Sequence, residues 1–257
     1  MKYTKYEIKD RTAFISLNRP EKRNALNPLM INELKELLKK AESDPEVKVI
    51  ILKGEGEAFC AGADLAALKQ MQNNSIQENL EDSRNLAELY ESIYSSSKII
   101  IARLTGHAIA GGAGLAAVCD FIFSVPEAKY GYTETAIGFV PAIVSIFLLR
   151  KIGETKAKEL LLTGKIISAK EAKAYGIFNE IYPPENIEEE TLKFAQRLAE
   201  RTSGDSLRLT KKLINEVQGK DLDAAIDYAV KLNAEARNTP DCRRGISAFL
   251  NKKKIKW

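Results

Sequence analysis

The chain has 257 residues, 45% of them hydrophobic, with 39 basic and 35 acidic side chains and a formal net charge of +4. That is enough apolar material for one globular core, and no stretch approaches the roughly 18 uninterrupted apolar residues of a membrane helix. Three cysteines, Cys60, Cys119 and Cys242, form an odd set without metal-ligand spacing, which argues against a disulfide framework and a zinc site.

In chain order, the opening MKYTKYEIKD lacks the apolar core of a signal peptide and runs directly into a strand candidate at Thr12–Leu17, so a cytoplasmic protein is expected. Asn27 followed by Pro28 signals a helix start, and Ile31, Leu34, Leu37, Leu38 and Ala41 follow with helical spacing. Further strands are expected at Val47–Lys53, Ile99–Leu104 and Phe121–Val125. The polar stretch from Leu65 to Asn85 gives no derivable fold. Alternating strands and helices imply a mainly parallel sheet with helical crossovers. After Ala142 the pattern is helical, at Ile143–Lys151, Glu154–Leu162, Ala169–Tyr175, Glu185–Arg201, Ser206–Val217 and Leu222–Arg237, with one short strand at Ile177–Tyr182. No low-complexity linker or internal repeat divides the chain.

Two small-residue loops stand out. EAFCAGADL spans Glu57 to Leu65, and AIAGGAGLAAVCD spans Ala108 to Asp120. Each follows a strand-like stretch and leads into a helix, an arrangement that can aim two bare backbone N–H groups at one oxygen as an oxyanion hole. Plainer readings compete: tight helix packing for the GGAG run, an N-cap for Asp64, small buried hydrophobes for Cys60 and Cys119, and a satisfied structural residue for His107. Gly112, Gly114 and Ala117 also match a dinucleotide fingerprint with Glu134 downstream. The following strand FIFSV carries no acidic residue at its end to meet a ribose, so binding of NAD is not expected.

The segments NRPEKRNALN (Asn18–Asn27), FCAGADL, AGGAGLAAVCD and YGYTETAIGFVPA (Tyr130–Ala142) resemble, in order and spacing, the enoyl-CoA hydratase/isomerase (crotonase) superfamily, and the resemblance covers nearly the whole chain. It implies an α/β fold with a spiral core of repeated ββα units over residues 1–195 and a C-terminal helical trimerisation region over 196–257, hence a trimer or a dimer of trimers. It also implies that the N–H groups of Ala63 and Gly111 stabilise the enolate of an acyl-CoA thioester. Two-glutamate hydratases of this superfamily carry a first acid shortly after the GG pair, and that position here is Gly114. The second acid falls on Glu134, whose neighbours Ile137, Phe139, Val140 and Pro141 are expected to form an apolar pocket raising its pKa.

One glutamate suits an isomerase that moves a proton from C2 to C4, and it can also orient water for hydration. The segment TETAIGFVPAIVSIFLLRKIG resembles hydratases of short or branched acyl-CoA, so hydration of a 2-enoyl-CoA is the leading expectation and isomerisation the alternative. By the same resemblance Lys22 and Arg23 would meet the adenosine phosphates, Ala25, Leu26, Ala61, Asp64 and Leu65 would line the adenine and pantetheine path, and Lys252, after Phe249, would serve a neighbouring subunit's ligand. Coenzyme A is part of the substrate, and no further cofactor is implied. Some relatives bind RNA, but the basic residues are scattered and form no aromatic-interleaved stripe, so nucleic acid is not the expected partner.

Overall fold

A computed structural model describes all 257 residues. The strands are β1 (Thr4–Lys9), β2 (Thr12–Leu17), β3 (Val49–Gly54), β4 (Ala58–Cys60), β5 (Ile99–Leu104), β6 (His107–Ile109), β7 (Phe121–Ser124), β8 (Lys129–Gly131), β9 (Ile166–Ser168) and β10 (Glu180–Ile181). The helices are α1 (Pro28–Ser43), α2 (Leu65–Met71), α3 (Ile76–Tyr94), α4 (Gly111–Ala117), α5 (Ala142–Thr163), α6 (Ala169–Ala174), α7 (Ile187–Arg201), α8 (Gly204–Val217), α9 (Leu222–Asn238) and α10 (Pro240–Leu250).

A six-stranded sheet has the order β1-β2-β3-β5-β7-β10, parallel except for the β1–β2 pair. Its central strands are covered on both faces and therefore read as continuous apolar runs; all six residues of β5, IIIARL, are buried. A second, four-stranded sheet of three-residue strands has the order β4-β6-β8-β9. The chain thus places a strand in the large sheet, then one in the small sheet, then a helix, and repeats this unit through β3-β4, β5-β6 and β7-β8. One face of the large sheet packs Val49, Ile51, Ile101 and Phe123 against Ala195 and Phe194 of α7, and the main core on the other face draws in α1, α3, α4 and α5.

The strand expectations within the large sheet hold to within two residues, and β10 is a two-residue remnant of the strand expected at Ile177–Tyr182. The two helices expected on either side of Gly153 form one element, α5, broken by Gly153 in a left-handed conformation (φ 73°). Edge strand β1, the short strands of the small sheet and helices α3 and α10 were not among the elements expected from the residues themselves. Ser75 and Glu78 form a capping box at the start of α3, and that Ser-x-x-Glu signature was present in the sequence. The boundary expected between residues 195 and 196 falls inside α7, whose buried residues run from Ile187 to Ala199. The helices after it are α8, α9 and α10. Lys211 of α8 ties them to the core: it is buried, donates to Asp120 Oδ2 at 2.8 Å and to the carbonyls of Ile93 and Lys98. No helix is long and apolar enough to cross a membrane.

Candidate active site

Three parallel neighbours of the small sheet, β4, β6 and β8, end side by side. The chain leaves β4 at Cys60 and reaches Ala63, leaves β6 at Ile109 and reaches Gly111, and leaves β8 at Gly131 and reaches Glu134. Strand pairing therefore gathers the two small-residue loops and the acid that the sequence placed far apart.

The first loop is held by an isolated parallel bridge between Leu26 and Ala63. Leu26 N–H donates to the Gly62 carbonyl (2.7 Å) and Asp64 N–H to the Leu26 carbonyl (2.8 Å). In such a bridge alternate residues point opposite ways. Ala63 accordingly turns its own N–H away from Leu26, and that N–H has no hydrogen-bond partner in the chain. Gly62 has φ +92°, and a Cβ there would lie 3.0 Å from Ala110 Cβ and 3.6 Å from the Gly111 nitrogen, which shows how closely the loops approach.

The second loop turns at Ala110, whose φ of 51° and ψ of −124° are costly for a residue with a side chain. Its N–H is tied to the Gly131 carbonyl at 2.8 Å, which locks β6 to β8 just before the turn. Gly111 is the first residue of α4, so its N–H has no intrahelical acceptor.

The glycines of α4 answer to packing. A Cβ at Gly112 would sit 2.1 Å from the Cys60 carbonyl oxygen, and one at Gly114 would sit 2.3 Å from Val144 Cγ1 and 3.1 Å from the Tyr90 hydroxyl. Gly114 does not have a positive φ; a side chain is refused there by Val144. Gly114→Ala should cost about 1–3 kcal/mol of stability through overpacking, with part recovered by Val144→Ala in the same chain, as read by urea unfolding. A single variant as stable as the parent would mean that α4 and α5 have room between them. The dinucleotide reading fails on topology: β6 lies in the small sheet and β7 in the large one, so α4 does not connect neighbouring parallel strands of one sheet.

Glu134 opens a short 3-10 helix, Glu134–Ile137, closed by Gly138 at φ 77°. Its Oε2 is buried without a hydrogen-bond partner. Burial pushes its carboxyl above the usual glutamate range, and a hydrogen bond from its own backbone N–H offsets only part of that. The expected apolar pocket is corrected in its composition. Ile137, Phe139 and Val140 are 70%, 52% and 70% exposed, and only Pro141 of that group is buried. The neighbours that share Glu134's electrostatic surroundings are the fully buried Tyr90, Tyr130 and Tyr132.

Lys22 and Arg23 are exposed and form no ion pair, and the Arg23 carbonyl accepts from Ala61 N–H at 3.0 Å, which sets both cations beside the first loop. Ala25 and Leu26 are buried and Leu65 is 82% exposed. Asp64 is spent structurally: Oδ1 caps α2 through Ala66 and Ala67 N–H, and Oδ2 meets Arg19 at 2.5 Å. Burial pulls its pKa up, but these donors prevail and hold it below the usual carboxylate range. Phe249 and Lys252 are not brought to this site. They lie at the end of α10, which packs on α8 and α9, and the tail beyond it is fastened by Trp257 to Arg11 and Glu200, at the opposite end of the large sheet.

Cys60 and Cys119 are buried with their thiols pushed up to about 12, and the exposed His107 accepts from Lys129 N–H through Nδ1. Sequence reading missed Ala110, Arg19 and Asn24. Buried Asn24 takes a left-handed φ of 55° and holds the Arg19–Ala25 loop by accepting from Arg19 N–H and donating to the Glu55 and Ala58 carbonyls. An asparagine in the polar segment NRPEKRN that follows a strand was a signal for such a turn.

Known proteins agree with this architecture. Residues 7–257 match the model of the family described as enoyl-CoA hydratase/isomerase. A relative from Thermus thermophilus is 43% identical over 245 residues, covering 95% of this chain and 96% of its own. A crotonyl-CoA hydratase from Syntrophomonas wolfei is 34% identical over 253 residues, covering 98% and 96%. The crystal structure of an enoyl-CoA hydratase from Bacillus anthracis superposes with a TM-score of 0.91 at 30% identity, covering 98% of both chains. The chain belongs to the enoyl-CoA hydratase/isomerase family.

Proposed function

We propose that the protein is an enoyl-CoA hydratase acting on a short or branched 2-enoyl-CoA. The observation that carries this reading is the shared exit of β4, β6 and β8, which delivers two small-residue loops and a half-buried glutamate with one buried, unpartnered oxygen to one place. Sequence similarity to a crotonyl-CoA hydratase supports the short acyl group.

In this reading the thioester oxygen accepts from the N–H groups of Ala63 and Gly111. Glu134 takes a proton from water as the water oxygen bonds to C3, and electron density moves onto the thioester oxygen to form the enolate. The two N–H donors stabilise that charge by several kcal/mol. Glu134 then returns its proton to C2, the enolate collapses to the thioester, and the sum is one water added across the double bond. A carboxyl raised by burial is closer to the operating pH and better suited to both transfers. Lys22 and Arg23 meet the phosphates of CoA, and Ala25, Leu26, Ala61 and Leu65, with Ile137, Phe139 and Pro141, line the way to the acyl group. No cofactor beyond the CoA carried by the substrate takes part.

Isomerisation of a 3-enoyl-CoA is the second reading, favoured by the absence of a side chain at Gly114 and the filling of that space by Val144 and Tyr90. Here Glu134 removes a proton from C2 and returns it to C4 through the same enolate. A panel of 2-enoyl- and 3-enoyl-CoA thioesters, with product position determined, separates the two. A 3-hydroxyacyl product from 2-enoyl substrates is expected; migration without hydration would replace the first reading by the second.

The assembly in this reading is a homotrimer or a dimer of trimers. Leu222, Ile226 and Val230 leave an apolar stripe exposed along α9, and Phe249 is 82% exposed, remote from its own chain's site, where a neighbouring copy's ligand could meet it together with Lys252. Light scattering of the purified chain tests this, and a monomeric mass would overturn it.

A further inference from the structure

The acid and the two loops do not account for a cluster of buried tyrosine hydroxyls behind α4. Tyr90, near the C-terminal end of α3, is fully buried, yet its hydroxyl donates to the Gly111 carbonyl at 2.6 Å. Tyr130, from β8, donates to the Ala113 carbonyl at 3.0 Å and shares a hydrogen bond of 2.7 Å with Tyr132. Two of the first three carbonyls of α4 are thus held by side chains from outside the helix.

α4 has only seven residues and begins at a strained Ala110 with two consecutive glycines, so its own backbone does little to fix its first turn. The Tyr90 hydroxyl also lies 3.3 Å from where a Gly111 Cβ would be and 3.1 Å from the corresponding point at Gly114, so it fills the groove that these glycines leave open. The Phe147 ring stands edge-on to Tyr90 with centroids 6.2 Å apart and holds the phenol from the other side.

We infer that Tyr90 is a positioning residue: its hydroxyl anchors Gly111 by the carbonyl and thereby holds the Gly111 N–H in the direction that polarises the substrate carbonyl. This rests on the reading of Gly111 as a donor to the thioester oxygen. Tyr90 does not reach the substrate and transfers no proton. A donor free to swing must be reoriented as charge develops, whereas a fixed one need not be, and the effect therefore falls on the transition state more than on substrate binding.

Tyr90→Phe keeps the ring and removes the hydroxyl. It should lower kcat about 10- to 100-fold, as expected for a donor displaced by a fraction of an ångström, with KM little changed. The carbonyl stretch of a bound saturated acyl-CoA, read by difference infrared spectroscopy, should move back toward its solution value. Tyr132→Phe, which leaves the Gly111 carbonyl bonded, should leave that stretch where it is. Tyr90→Phe with a lower melting temperature but an unshifted carbonyl band and unchanged kcat would reduce Tyr90 to a packing residue. No shift of the band in the parent protein would instead refute the reading of Gly111 and Ala63 as donors. A shifted parent band that persists in Tyr90→Phe overturns only the role of Tyr90.

Discussion

Glu134→Gln should reduce turnover by about 10²-fold or more while leaving acyl-CoA binding intact, because the substitution keeps the shape of the group and removes only its proton chemistry. The parent pH–rate profile should carry a limb above the ordinary glutamate range, since burial raises this carboxyl, and the limb should vanish in the variant. The same shift has a consequence for stability. A carboxyl whose pKa is raised by folding disfavours the folded state once pH rises past the unfolded value, and that cost is complete above the raised folded value. Glu134→Gln should therefore melt higher than the parent at neutral pH and show no such gain below the ordinary carboxylate range. A variant with near-normal turnover refutes the assignment, and one that gains no stability at neutral pH contradicts the burial of the charge.

Ala63→Pro should lower kcat by roughly 10²–10³-fold, the usual effect of deleting one donor from an oxyanion hole. The position suits the test. Ala63 N–H bonds to nothing in the chain, so proline removes no internal hydrogen bond, and the preceding residue is a glycine. Gly111→Pro is a poorer probe, because proline restricts the residue before it and Ala110 already occupies a strained conformation. Ala63→Gly keeps the N–H and should retain most activity. A folded Ala63→Pro enzyme, judged by circular dichroism, with parental kcat would remove Ala63 from the mechanism.

The large sheet was legible in the sequence because its strands are long and buried on both faces, so that runs such as IIIARL cannot be solvated. The small sheet was not legible from the residues themselves. Strands of three residues, AFC, HAI and KYG, give no period to detect, and their existence was implied only by family resemblance. For the site, backbone freedom could be read from residue type, and the structure gives Gly62 its positive φ. What residue type conceals is strain at Ala110, an alanine like any other in sequence, and the reach of Tyr90, near the end of a helix that begins in a polar stretch, to a carbonyl 21 residues later. The surroundings of Glu134 were misjudged for the same reason. Its sequence neighbours Ile137 and Phe139 are exposed and do not enclose it, and its enclosure comes from residues that only the tertiary fold brings near.

Strands so short cannot determine their own alignment. A one-residue slip of β8 along β6 would invert which side chains face inward, exchanging Tyr130 with Lys129 or Gly131. Each alternative would bury an ammonium group or leave a void, and would break the bond from Ala110 N–H to the Gly131 carbonyl. The phenol of Tyr130, seated on the Ala113 carbonyl, thus acts as a register pin. It fixes how far the chain has advanced when it leaves the sheet, and so where the residue three positions beyond Gly131 comes to rest.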